Sequence, residues 1–170
     1  MSGGNQCWQT PQDLFDALDR EVGGFDIDVA ADKDNAKCKE FMNKEDSAFH
    51  NDWYWDLSLS GQRQSVWCNP PYEKPIIWVN RAIQQVSDAP NLVVYMLLNH
   101  DASTKWYAEA VKHASEIRIM TGKRVQFKAP DGVKASSNSK AQCIIVFRKK
   151  QPSAPCHVWH WDWTKDIEGA

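Results

Sequence analysis

The chain has 170 residues, 42% of them hydrophobic and 25% charged, with a formal charge of −2 and a pI near 6.2. That length supports one domain with a real core, and the apolar content excludes a disordered chain. No apolar run approaches the ~18 residues of a membrane span, and the first ten residues lack the apolar stretch of a secretory signal. Five scattered cysteines (Cys7, Cys38, Cys68, Cys143, Cys156) form no CxxC pair, which predicts reduced thiols in a cytoplasm and neither a disulfide framework nor a zinc site. Nine tryptophans point to core aromatics, or to flat surfaces for planar ligands.

In chain order, Thr10-Pro11-Gln12-Asp13 predicts a helix start, with Thr10 as N-cap and Pro11 in the first turn. Leu14, Phe15, Leu18 and Val22 give its apolar stripe, and Gly23-Gly24 ends it. Residues 25–29 (FDIDV) read as a strand, 30–36 as an Asp- and Asn-rich loop, and 37–42 as a short element. Residues 65–68 (SVWC) read as a buried strand that must turn at Pro70-Pro71. Ile76, Val79, Ile83 and Val86 mark a helix, and residues 92–98 a strand covered on both faces. Asp101 or Ser103 is expected to cap a helix running to about His113. Further strands are expected at 116–120, 124–128 and 142–148, with a loop at 129–140. Strands alternating with helices predict crossover units, hence an α/β fold with a mostly parallel sheet and antiparallel edge strands. In the tail, residues 157–163 alternate strictly, placing Trp159, Trp161 and Trp163 on one face. An edge strand, a base-stacking surface and an interaction module remain open readings there. Cys156, His157 and His160 lack a fourth partner at metal-site spacing.

Asn69-Pro70-Pro71-Tyr72 carries the chemistry. It follows a buried strand and so sits at the carboxyl end of the sheet, where open α/β folds hold ligands. An amino nitrogen conjugated to a ring is a poor nucleophile, because its lone pair is delocalised. An Asn side-chain oxygen and the carbonyl of Pro70, which has no N–H to compete, can each accept one of its N–H bonds. Together they favour a pyramidal nitrogen and stabilise the charge that develops during attack. Tyr72 offers a flat face to a base, and no proton relay is needed.

The combined pattern resembles the phage DNA N-6-adenine-methyltransferase (Dam) family. It comprises Trp8, Thr10-Pro11, Leu14-Phe15, Phe25 to Ala31, Asn35 to Cys38, Trp53, Asn69-Pro70-Pro71-Tyr72 and Trp78, and spans Trp8 through Phe147. The resemblance implies a Rossmann-like, S-adenosylmethionine-dependent methyltransferase fold. Residues 1–150 would form the catalytic domain, with 151–170 as a tryptophan-rich tail packed on it. Asn69, Pro70 and Tyr72 would be catalytic. Trp8, Thr10, Asp28, Ala30, Asn35, Asp46, Trp53 and Asn69 would lie on the cofactor, with Thr10 at its methionyl end. A buried Asp28 suits a ligand carrying an ammonium and a sulfonium. Ala30-Ala31-Asp32-Lys33 departs from the wider methyltransferase pattern, in which the loop after the first strand carries glycines.

The implied reaction is methyl transfer to N6 of an adenine flipped out of double-stranded DNA, with no metal and no membrane, in a bacterial or phage-infected cytoplasm, as monomer or dimer. The alternatives are an amino or amide nitrogen of RNA or protein as acceptor, or a non-catalytic nucleic-acid-binding relative. The mild acidity does not oppose a DNA partner once it is divided along the chain. Residues 112–150 hold ten Lys/Arg against two acids, whereas residues 1–56 hold thirteen acids against five bases. Tyr72, Lys123, Arg124, Lys134 and Lys140 are the candidate nucleic-acid contacts, and loops 41–66 and 122–142 the candidate base readers.

Overall fold

A computed structural model describes residues 8–43, 47–54, 62–129 and 138–167. Its elements run α1 (Gln12–Val22), β1 (Ile27–Asp28), β2 (Glu40–Phe41), β3 (Gln64–Cys68), α2 (Pro75–Asp88), β4 (Leu92–Asn99), α3 (Lys105–His113), β5 (Glu116–Thr121), β6 (Gln142–Arg148), β7 (His157–Asp162) and α4 (Thr164–Ile167). One seven-stranded sheet has the order β2-β1-β3-β4-β6-β5-β7. All its strands are parallel except β6, which runs antiparallel to both β4 and β5. The mixed α/β sheet agrees with a Rossmann-like methyltransferase fold. Its antiparallel component is this single strand, and it lies inside the sheet because β7 adds beyond β5.

The side-chain alternation of the strands explains the layering. On β3 and β4, Val66, Cys68, Val94, Met96 and Leu98 face one side, where Val79 and Ala82 of α2 and Ala110 of α3 cover them. Trp67, Val93, Tyr95 and Leu97 face the other, under Leu14, Phe15 and Leu18 of α1. Leu14 and Leu18 are fully buried, and each such side chain contributes ~1.5–3 kcal/mol. Burial of β4 on both faces accounts for its unbroken apolar sequence. Helix α1 stops where Gly23 takes φ +81°, a left-handed turn in which the Gly24 N–H donates to Asp19 O at 2.8 Å.

Local expectations fail at three places. Thr10 does not cap α1: Pro11 occupies that position, and its carbonyl accepts from Phe15 N–H at 3.1 Å. Helix α3 is capped by Thr104, whose Oγ1 accepts from Tyr107 N–H, because Asp101 spends its carboxylate on the Ser103 N–H and hydroxyl. Residues 124–128 form no strand, since β6 and β7 already flank β5 on both sides. They contribute one bridge, Gln9 to Lys128, with both N–H···O bonds at 3.0 Å.

The tail segment is an edge strand. Trp161 and Trp163 are buried, Trp159 is half-buried, and His157, Val158 and His160 point outward. The Trp159 and Trp161 rings lie 5.6 and 5.5 Å from the Arg118 guanidinium, which also binds Glu21 with two hydrogen bonds of 2.6 Å. Among the described residues no helix is long and apolar enough to cross a membrane.

Candidate active site

Because six strands run in one direction, the ends of β1, β3, β4 and β5 and the start of β6 share one edge of the sheet. Asp28 ends β1, Asn69 follows β3, and Asn99 ends β4. The Gln9–Lys128 bridge then lays the chain at Trp8 beside Phe127, over the same edge. Two adjoining clefts result, with Trp8, Asn69 and Pro71 lining both.

The larger, about 320 Å³, is completed by Pro70, Tyr72, Asn99, Phe127 and Asn138. That volume falls at the low end for small-molecule sites. The Tyr72 and Phe127 rings meet edge to face, 6.0 Å apart at 77°. The Asn69 amide is held at both ends. Its Nδ2 donates to the Trp8 carbonyl at 3.1 Å, and its Oδ1 accepts from the Tyr72 hydroxyl at 3.2 Å. The Trp8 bond fixes which way the amide points, and a carbonyl oxygen has two lone pairs, so Oδ1 keeps one for a further donor. Burial pushes the Tyr72 hydroxyl well above its ordinary pKa and keeps it a neutral donor.

The smaller cleft is narrow, about 20 Å³, and its walls are polar: Gln9, Thr10, Asp28, Ala30, Asn35 and Lys37, with Trp67 behind. Asp28 is 3% exposed. Its two oxygens accept the Ala30 and Lys37 backbone N–H groups at 3.2 and 3.1 Å, and burial still raises its pKa to about 6. The Lys37 ammonium makes its hydrogen bond to Gln12 Oε1 at 2.8 Å, and its charge offsets the burial of Asp28 only in part. Two more buried polar atoms here, Thr10 Oγ1 and Trp67 Nε1, have no hydrogen-bond partner among the described residues. Such orphans are uncommon, and these two belong to walls of one cleft that also contains a buried carboxyl group whose pKa burial raises. A ligand bringing positive charge and hydrogen-bonding groups fits that donor and acceptor set.

Of the residues singled out from sequence, Trp8, Thr10, Asp28, Ala30, Asn35, Asn69, Pro70 and Tyr72 converge on the two clefts. Asn35 also closes its own loop, its Oδ1 accepting the Asp32 N–H at 2.7 Å. Trp53 is not brought there. It is fully buried in the core beside Trp78, with Nε1 donating to Ala48 O at 2.8 Å. Lys123 and Arg124 are exposed and line a neighbouring cavity of about 300 Å³, where Trp163 holds Lys123 through a 5.4 Å cation–π contact. Lys140 is exposed two residues beyond Asn138. Asp46 and Lys134 lie outside the described residues. Of the ten basic residues in 112–150, Arg118 is committed to its buried ion pairs and Lys112 to Glu109.

Sequence reasoning missed Trp67, Asn99, Phe127 and Asn138. Position Asn99 carried a usable signal, as the first polar residue after seven buried ones on a central strand. Phe127 and Asn138 lie within the 122–142 loop expected to read bases, but nothing in the sequence singles out these two side chains. Among the described residues there is no group of three or more His, Cys, Asp or Glu side chains that could hold a metal ion.

A DNA N-6-adenine-methyltransferase of Haemophilus phage HP1 (strain HP1c1) is 36% identical over 147 residues, covering 85% of this chain and 80% of that protein. One of Escherichia phage T1 is 36% identical over 157 residues, 84% of this chain and 62% of its own length. No solved structure matches. The match to the family itself extends over residues 3–162, and the chain belongs to the DNA N-6-adenine-methyltransferase (Dam) family.

Proposed function

We propose that the protein transfers the methyl group of S-adenosylmethionine to N6 of an adenine turned out of duplex DNA. The observation that carries this reading is the meeting of the two clefts at Asn69, whose amide is oriented by Trp8 and presents Oδ1 to the aromatic cleft. When bound, the cofactor supplies an electrophilic methyl on a sulfonium. Asp28 would attract its positive charge, and Thr10 Oγ1 and Trp67 Nε1 would gain the partners they lack.

On the acceptor side, Asn69 Oδ1 and the Pro70 carbonyl would each take an N–H of the adenine amine. Tyr72 and Phe127, in edge-to-face contact with each other, would form one aromatic wall against the ring. The Tyr72 hydroxyl, bonded to Asn69 Oδ1, both holds that oxygen in place and limits its remaining capacity to one N–H. A base inside a duplex cannot reach this recessed oxygen, so the target must be flipped. Lys123, Arg124 and Lys140 would take phosphates beside the cleft, and Lys134 is a further candidate phosphate contact from sequence. The chemistry is assigned to residues 1–150 and a supporting role to 151–170, in the cytoplasm of a bacterial or phage-infected cell.

The test is tritiated-methyl transfer offered in parallel to DNA, RNA and protein. Label in DNA at adenine N6, lost in Asn69→Ala, is expected. No label in DNA, with label in RNA or protein, would transfer the same chemistry to another acceptor. Cofactor binding without transfer to any acceptor would leave a non-catalytic relative.

A further inference from the structure

One side chain in the aromatic cleft has no part in the scheme so far. Asn99 ends β4, next to β3 in the sheet, and lines the cleft with Asn69. Across the sheet it is paired with Gln142, the first residue of β6. Gln142 is 1% exposed, and its Nε2 donates to Asn99 Oδ1 at 2.8 Å. That bond occupies the Asn99 oxygen. Among the described residues nothing accepts from Asn99 Nδ2, which leaves an amide donor at the cleft wall.

The opposite setting of the two amides, with Gln142 Oε1 accepting from Asn99, is disfavoured. In the observed setting Gln142 Oε1 is buried without a partner among the described residues. Reversal would bury an unpartnered NH₂ group instead, and orphaned donors are rarer in proteins than under-satisfied carbonyls. The pair therefore has a preferred sense, set from inside the sheet, and it presents a donor outward.

We infer that Asn99 is a specificity-determining residue that donates from Nδ2 to the ring nitrogen beside the target amino group. This rests on the methylation reading above. Adenine has a bare acceptor, N1, next to its amine, so Asn69 and Asn99 would read adjacent atoms of one Watson–Crick edge. Guanine and thymine carry N–H at the corresponding place and would set donor against donor. Cytosine shares the amine-and-acceptor pattern, so Asn99 separates amino-bearing from keto-bearing bases, and the size of the cleft must separate purine from pyrimidine. Gln142 is the positioning residue that holds Asn99 in the donating orientation.

The test compares two duplexes that differ at one atom. The target adenine, at a site mapped for the wild type, is replaced by 1-deazaadenine, in which a C–H stands where N1 was. The wild type is expected to prefer adenine in kcat/KM by about 10- to 100-fold. In Asn99→Ala that preference should shrink at least tenfold, while the S-adenosylmethionine Kd stays unchanged. The analogue's own reactivity and base pairing cancel in the ratio between proteins. Asn99→Asp is nearly isosteric and still accepts from Gln142 Nε2, and it should lose the preference as well, which keeps the test open if the alanine variant misfolds. A preference equal to the wild type's in both variants overturns the assignment and leaves the methylation reading standing. Failure of the wild type to methylate any DNA overturns both.

Discussion

Replacing Asp28 by Asn probes the cofactor cleft from two directions. Folding raises the Asp28 pKa from 3.8 to about 6, chiefly through burial. Between those values the folded protein keeps a proton that the unfolded chain has released, so the group's stabilising contribution is complete below the unfolded pKa. It is lost as pH rises through about 6. The shift is about two units at 1.36 kcal/mol each, so wild type without cofactor should lose up to ~3 kcal/mol from this group across that window. Asn carries no charge and removes this loss. It also has only one acceptor oxygen for the two N–H groups of Ala30 and Lys37, and leaving one unmet costs ~1–3 kcal/mol. At pH above 7 the variant should therefore lie between equal to wild type and ~2 kcal/mol more stable. Urea denaturation of both proteins from about pH 4.5 to 7.5 gives the difference curve, which should rise through pH 6 and then level. Calorimetric titration with S-adenosylmethionine should show affinity lower by about 10- to 100-fold in the variant. A flat difference curve together with unchanged affinity would refute the reasoning about this carboxyl group.

Other consequences are simpler to read. In wild type the S-adenosylmethionine Kd should rise as pH falls below about 6, by up to tenfold per unit, because the cation must meet a carboxylate. Thr10→Val removes a buried hydroxyl that has no partner; stability without cofactor should stay within ~1 kcal/mol of wild type in urea denaturation, while cofactor affinity drops about tenfold. Tyr72→Phe keeps the ring and deletes the hydrogen bond to Asn69, so kcat should fall only a few-fold, whereas Tyr72→Ala should cost more than about tenfold. Replacing Lys123 and Arg124 together by Ala should reduce the slope of log Kd for DNA against log salt by about two, measured by fluorescence anisotropy.

The parts of this fold that could be read from sequence are those decided within a few neighbouring residues. Residues 92–98 announced a doubly covered strand because both of its faces are buried, and Asn69-Pro70-Pro71-Tyr72 announced where a cleft lies because a proline turn after a buried strand falls at the carboxyl edge of the sheet. Thr10 misled only as a cap, because a hydroxyl before a proline has the chemistry of one; the resemblance already put it on the cofactor, and the path of the chain turns it into the cleft beside Asp28. Trp53 misled in the opposite sense, since an indole N–H is satisfied equally well by a core carbonyl, here that of Ala48. Asn99, Phe127 and Asn138 reach the site from three distant stretches. Their meeting depends on strand order and on the Gln9–Lys128 bridge, neither of which leaves a local trace.

In the proposed reaction Asn69 presents an acceptor to an exocyclic adenine amine beside the cofactor cleft. Expressing the wild type or Asn69→Ala in a host without adenine methylation, then mapping modified bases in a resident plasmid, tests it most directly. With the wild type, N6-methyladenine is expected at a defined set of sites. In the variant a loss of kcat of at least about 100-fold is expected on the purified enzyme with cofactor affinity little changed. Methylation of the plasmid at equal rates by the two proteins would contradict this role of Asn69.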